Sequence, residues 1–558
     1  MKKIFVLTLF ISLFVNLPSQ NSDLYSLMKD RNEFYFSFQC DNIQELGGIF
    51  DAISIDKIDG DNVVAYANGS EYENFLTLGY KTTLLLPPSM SDVYKMYDGH
   101  SRDEYEWDEY PTYEAYEAMM YDYAETYPDN CSLLNLGTLQ SGRKILLLRI
   151  NNGKIEGKPK FLLCSTIHGD ETTGFIIMLR LIDELLCRQY LPEVQSVLDN
   201  IDLFICPNMN PDGTYKNGNH TVAGATRFNA FGIDMNRNYP DCIKGTHPDD
   251  ENYAYETELF MKLADEYQFT MSANYHGGAE VINYPWDNTY EQHVDDDWWY
   301  MIARQYADLT HEINPEYMTD RDDGVTNGAD WYKIHGSRQD YMNYYEQCRE
   351  LTVECSKTKC PPASELPVYW EYNRNAIFAM LAQVNCGVQG TVKDKKTKQA
   401  LNATVKVLDY DCDYSVVESQ LPLGDFYRPI KAGSYLIEIE ADGYYPVQKN
   451  VDVIDGERLV LNIELDAICD AVGDNVLLDD SEKDDIRLYP NPVENVLSID
   501  IDEVNEIMWD LIDGSGRVVK QSNNAGDFDI KLDDVESGAY LLKLIFGEKQ
   551  IVKRIVVR

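Results

Sequence analysis

Between residues 108 and 384, short and largely apolar runs alternate with longer stretches of helical period. Residues 161–167, 201–206 and 269–275 are such runs, and each gives way at once to a polar loop. Apolar runs of this length, without alternation, read as strands covered on both faces. Residues 113–127 and 175–186 read as helices; the Met and Tyr stripe of the first is a packing face. Buried strands interleaved with helices predict an α/β fold: a mostly parallel or mixed sheet with helices on both faces. In such sheets the chemistry lies beyond the carboxyl ends of the strands.

The pattern changes on either side of this block. Residues 433–444 alternate apolar and polar positions, and Gly387-Val388-Gln389-Gly390-Thr391-Val392 opens another strand. Period two predicts an antiparallel β-sandwich over 386–467. Residues 468–485 are rich in Asp and Glu and read as a solvated linker. A second small β-sandwich is expected over 486–558, with strands at 496–501, 509–512 and 539–545. Its turns fall at Asp513-Gly514-Ser515-Gly516 and Ser537-Gly538. Upstream, residues 24–92 form a small α/β unit of prosegment-like size. Strands are expected at 34–38, 63–67 and 81–86, and a helix at 41–53 with Asp41 as its N-cap. Lys2 and Lys3 precede an apolar run over 4–15, followed by Pro18, Ser19 and Gln20. That run is shorter than the ~20 residues a bilayer needs, so residues 1–20 read as a secretory signal. No later stretch is apolar enough to span a membrane.

Length and charge narrow the function. A chain of 558 residues accommodates several domains. It carries 48 Lys and Arg against 94 Asp and Glu, a formal charge of −46, which argues against a nucleic-acid partner. Twelve cysteines without a C-x-x-C pair exclude a disulfide-dense scaffold and zinc ribbons. Cys164, Cys187 and Cys206 lie in apolar surroundings and are expected in the core. Cys348, Cys355 and Cys360 are close enough along the chain for one bridge.

Two strand ends offer metal ligands. His168-Gly169-Asp170-Glu171 follows the first apolar run, and Tyr275-His276-Gly277-Gly278 follows the third. Two imidazoles and a carboxylate, with one ligand distant in sequence, suit a hydrolytic zinc site that keeps a position for water. Arg227 and Arg237 are cations in an acidic chain, and guanidinium forks bind carboxylates and oxyanions.

These pieces resemble the M14 zinc carboxypeptidases over residues 108–384. The match rests on His168-x-x-Glu171, Asn210-Pro211-Asp212-Gly213, Asp234-Met235-Asn236-Arg237-Asn238 and Ser272-Ala273-Asn274-Tyr275-His276-Gly277-Gly278. Further on come Asn327-Gly328-Ala329-Asp330-Trp331-Tyr332, Gln339-Asp340 and Leu351-Thr352-Val353-Glu354. The resemblance implies one zinc ion on His168, Glu171 and His276. It implies Arg227 on the scissile carbonyl, Asn236 and Arg237 on the substrate's terminal carboxylate, and Tyr332 closing over it. Glu354 is then the general base and acid; Glu350 misses the family's spacing from Tyr332 and reads as structural. Residues 386–467 resemble the transthyretin-like module of one branch, in which Asp287 would face the final side chain and favour C-terminal Lys or Arg. Gly336-Ser337-Arg338 departs from the family's pattern and brings a charge that would neutralise Asp287 if the two met. Residues 486–558 resemble the sorting domain of type IX secretion cargo: the Tyr-Pro-Asn-Pro entry, the Asp-Gly-Ser-Gly-Arg turn, Ser-Gly-Ala-Tyr and the basic last strand. That implies export through an outer membrane, to the cell surface or beyond, with the type IX machinery as partner. The substrates implied are peptide or protein C-termini. The competing readings are a γ-glutamyl-diaminopimelate peptidase acting on cell walls and a non-catalytic surface protein on the same scaffold.

Overall fold

The computed structural model describes residues 18–40, 53–99, 102–468 and, within 486–558, all but 494, 502–505, 514–516, 536 and 547–548. The expected helix at 41–53, the acidic linker, most of the signal and most of the 513–516 turn lie outside these residues. The chain divides into two compact units, Met1–Ile468 and Cys469–Arg558.

The first unit opens with α1 (Pro18–Arg31), β1 (Phe34–Gln39), β2 (Ser54–Asp59), β3 (Asn62–Ala67), α2 (Gly69–Thr77) and β4 (Thr82–Leu84). The expected signal cut near residue 20 falls in the first turn of α1, which Pro18 opens. The strands form an antiparallel sheet in the order β2-β3-β1-β4. Period two explains its two faces. Phe34, Phe36 and Phe38 pack with Val63, Ala65, Met28, Tyr72 and Phe75 on the helix side. Tyr35 and Tyr66 point the other way, towards the rest of the unit, where Tyr66 is fully buried.

The central sheet has eight strands. In chain order they are β5 (Cys131–Thr138), β6 (Lys144–Ile150), β7 (Lys160–Ser165), β8 (Asp202–Cys206), β9 (Met271–His276), β10 (Glu280–Tyr284), β11 (Val325–Asn327) and β12 (Arg349–Cys355). Their spatial order is β11-β10-β12-β9-β7-β8-β6-β5. The middle four, β12-β9-β7-β8, run parallel; β10 and β6 pair with them antiparallel on either side, β11 is parallel to β10 and β5 antiparallel to β6. The sheet is therefore mixed and covered on both faces. Phe161, Leu163, Leu203 and Ile205 face the helices Tyr113–Thr126, Thr173–Cys187 and Leu366–Gln383. Leu162, Cys164 and Phe204 face the helix Tyr255–Tyr267 through Phe260, Leu263 and Ala264.

Strands within 387–465 make two small sheets packed on Val388, Val392, Val405, Phe426, Ile437 and Ile439, the sandwich expected there. It is pinned to the central domain by a buried ion network. Arg428 reaches Asp295 at 2.9 Å and Asp411 at 2.5 Å, and Arg349 reaches Asp295 at 3.3 Å. The second unit is also β: a three-stranded and a four-stranded sheet packed on Leu497, Ile499, Trp509, Leu511, Leu542, Leu544 and Ile555.

Two cysteine expectations need correction. Cys187 is exposed, because it ends its helix where Arg102 and Tyr127 reach its thiol. Cys348, Cys355 and Cys360 are separate buried thiols; Cys348 meets Ser272 Oγ and Cys355 donates to the His276 carbonyl, so the two point into different surroundings.

Candidate active site

Strand ends assemble the site. The chain leaves β7 through Thr166, whose φ of 62° is the left-handed region that a β-branched residue rarely enters. The Thr166 hydroxyl donates to the Glu171 carbonyl at 3.2 Å and stabilises the bend. His168 and Glu171 thereby come to one side. Gly169 is required here, since a Cβ would lie 2.3 Å from the Gly213 carbonyl carbon. On the neighbouring strands, His276 ends β9 and stands in register with Glu354 of β12.

His168, Glu171 and His276 are buried, and one ligand atom from each lies within 4.8 Å of the others. Glu171 Oε2 is 2.9 Å from His168 Nδ1 and 2.8 Å from His276 Nδ1. Each far ring nitrogen is also held: His168 Nε2 by Asp234 Oδ1 at 3.1 Å, His276 Nε2 by the Asn274 amide at 3.0 Å. An imidazole that offers Nδ1 to a metal keeps its proton on Nε2. The Asn274 oxygen, buried and otherwise without a partner, accepts that proton once the amide is turned about. Burial pushes His276 down to about 4, so its ring is neutral at ordinary pH. Two ring nitrogens with their outer nitrogens tethered, and a carboxylate, fit a zinc ion.

The remaining expected residues line the same cavity: Arg227, Asn236, Arg237, Asp287, Tyr332 and Glu354. Arg227 Nε donates to Asp234 Oδ2 at 2.8 Å, so one carboxylate fixes both this guanidinium and the His168 ring. Sequence reasoning placed Asp234 in a motif and gave it no task. Asn236 Oδ1 accepts from the Arg338 backbone N–H at 2.9 Å. Arg237 keeps a buried Nε–H without a partner. Glu354 is held well above the usual carboxylate range, by burial and then by the Glu171 charge. Its Oε2 is buried and unpartnered.

Asp287 lines the same cavity. Its Oδ1 accepts from Gln339 Nε2 at 3.0 Å and Asn283 Nδ2 at 3.1 Å. Arg338 does not neutralise it. That guanidinium is buried against Glu350 at 2.5 Å, and Glu350 also takes the Ser272 hydroxyl, so both are committed to each other within the core.

Two features escaped the sequence. Lys359 lines the cavity with its Nζ 2.6 Å from Glu171 Oε1. The N-terminal sheet also enters it: Ile55 and Asp56 are part of the lining. Ser54 Oγ donates to Asp234 at 2.5 Å, and Glu33 accepts from the Arg227 backbone N–H at 2.9 Å. With that sheet in place the cavity volume is ≈ 50 Å³.

Comparison with known proteins agrees with this geometry. Residues 116–376 match the family described as zinc carboxypeptidase. The chain is 32% identical to carboxypeptidase SOL1 of Arabidopsis thaliana, over 60% of this chain and 68% of that protein. The chain belongs to the zinc carboxypeptidase family. Another member, mouse carboxypeptidase M, is 31% identical over 59% of this chain and 78% of its own length. Human carboxypeptidase D is 32% identical over 69% of this chain, which spans 28% of that longer protein. Behind the zinc carboxypeptidase domain, residues 487–558 match the secretion system C-terminal sorting domain, which directs the chain through type IX secretion to the surface or the medium. Among the described residues no helix is long and apolar enough to cross a membrane.

Proposed function

We propose that this chain removes the C-terminal residue of peptides, with zinc as cofactor and with preference for Lys or Arg. The observation that carries this is a single cavity lined by the buried His168–Glu171–His276 set, by Arg227 and Glu354, and by Asn236, Arg237 and Asp287. When bound, zinc supplies a Lewis acid and activates water. The side chains do the rest. Arg237, with its spare Nε–H, and Asn236 receive the terminal carboxylate, which makes a free C-terminus the condition for binding. Arg227, anchored by Asp234, donates to the oxygen of the scissile carbonyl as charge develops there. Glu354 takes a proton from the attacking water and returns it to the leaving amine; its raised pKa suits both acts. The hydrogen-bond partners of the Asp287 carboxylate are neutral, two amides and the Ser337 hydroxyl, so a cationic side chain is the complement it lacks. Incubation with peptides that differ only in the last residue, with product masses read out, tests this. Loss of one C-terminal Lys or Arg per turnover is expected; internal cleavage, or release of acidic residues first, refutes it.

We further propose that residues 24–92 act as a prosegment that keeps the site latent. Ile55 and Asp56 occupy the cleft, and Ser54 and Glu33 bond the residues that build it. A cut between this unit and residue 108 is expected to raise turnover of a peptide substrate; unchanged turnover after cleavage and separation argues against latency.

A further inference from the structure

Lys359 is a buried cation that the reaction derived above does not use. Its side chain is 6% exposed, with Nζ 2.6 Å from Glu171 Oε1, 3.2 Å from Asp56 Oδ1 and 5.2 Å from the Tyr66 ring centroid. Burying an ammonium is costly unless anions surround it. Of the two carboxylates that pair with Nζ, Glu171 belongs to the metal set; the buried Asp170 adds its charge without an ion pair. The other of that pair arrives from the N-terminal sheet, where the Tyr35 hydroxyl donates to Asp56 Oδ2 at 2.9 Å and aims the group into the cleft. The cleft therefore contains a cation whose second anion is delivered from outside its own walls.

Its position says which part of a peptide would replace that anion. The Lys359 chain lies over Gly278, two residues past His276, where a Cβ would stand 3.6 Å from Nζ. Asn236, Arg237 and Asp287 line the same cavity, with Gly328 packed on Asp287 and Gly336 on the Arg237 backbone. A peptide with its terminal carboxylate on Arg237 and its last carbonyl beside Arg227 must leave past the His276–Gly277–Gly278 turn. We infer that Lys359 is a subsite for a substrate carboxylate just upstream of the scissile bond, and that Asp56 fills this subsite in the covered chain. The substrates favoured are then segments with an acidic residue close before a basic C-terminus. The inference rests on the carboxypeptidase reading for its direction along the peptide.

The test uses the full chain with Asp56→Ala, which vacates the subsite, and Glu354→Gln, which prevents turnover. Peptides ending in Arg carry Glu or Gln at the residue before it, or one position further upstream. Binding to the zinc-loaded protein is measured by calorimetry. One Glu peptide is expected to bind about tenfold more tightly than its Gln counterpart, as a charge-assisted contact of this kind provides. Restoring Asp56 is expected to bring the pair to equal affinity, and Lys359→Met to do the same without it; Lys359→Arg should keep the preference. Equal binding of both pairs in the Asp56→Ala protein overturns the inference, whatever the Lys359 variants do. A preference that survives Lys359→Met, with all peptides weakened alike, also overturns it and leaves Lys359 as a positioning residue for Glu171. Activity is read separately in the otherwise unaltered protein after cleavage between residues 92 and 108 and removal of the N-terminal unit. Absence of C-terminal release there defeats the carboxypeptidase reading, while the affinity ratio still decides the Lys359 subsite.

Discussion

Asp287→Asn is the sharpest probe of specificity. Asp287 is 3% exposed, and its Oδ1 is held by two amide donors, Gln339 and Asn283. The substitution keeps the shape and removes the charge. At ~4 Å an ion pair is worth about 4 kcal/mol at an effective dielectric near 20, against about 1 in water. The difference of about 3 kcal/mol corresponds to about two factors of ten in kcat/KM for a basic C-terminal residue. Peptides ending in Phe lack that pair and should be cleaved as well as before or better. The assay compares kcat/KM for Arg and Phe termini in both proteins, with the melting temperature as a folding control. If the Arg-to-Phe ratio changes by less than about fivefold, charge recognition by Asp287 is refuted. Burial also raises the Asp287 pKa. The carboxylate therefore takes up its proton at a higher pH than an exposed aspartate, so the Arg-to-Phe ratio of kcat/KM should fall with pH, on top of the loss that protonation of Glu354 imposes on both substrates.

Glu354→Gln should keep zinc, measured by elemental analysis, and lose on the order of 10²–10⁴ in rate; retention of a tenth of the turnover would contradict its acid–base role. Burial would raise Asp295, but Arg428 and Arg349 pull it down to about 2, below the ~3.9 of an unfolded chain. Its contribution of about 2–3 kcal/mol is thus present above about pH 4 and lost as the pH drops towards 2. Thermal melts of Asp295→Asn should show a flatter acid dependence over that window, and parallel curves would disprove the linkage. Removal of residues 486–558 should leave peptide hydrolysis intact and retain the protein inside the outer membrane; surface fractionation decides.

The sequence was most informative where a single strand carries its own signal. The largely apolar runs of β7, β8 and β9 gave the sheet interior because strands covered on both faces admit only those polar residues that find a partner there, as Asp202 and Ser272 do. β5 escaped notice because it lies at the edge, where a mixture of buried and exposed positions blurs the run. The candidate ligands stood out because His168 and His276 both follow such runs. Asp234 serves two partners at once, a property of three-dimensional placement that spacing does not express. The reach of Ser54 and Asp56 into the cleft was invisible for the same reason, since each meets a partner far along the chain. Cys187 misled because its neighbours in sequence are apolar while its own place is a helix end.

His276 and Glu354 face each other as registered neighbours on parallel strands. The separation of metal centre and proton carrier is therefore the interstrand repeat of the sheet, about 4.8 Å between backbones, and no rotamer change around the rim can reset it. Asp287 and Tyr332 are carried instead by connections beyond the strand ends. New side-chain tastes can thus arise by exchanging short loops, one at a time, without disturbing turnover. Moving His276 relative to Glu354 would require the sheet itself to slip, which moves every residue of a strand together. The lineage of such a fold should accordingly diversify in what it trims long before it diversifies in how.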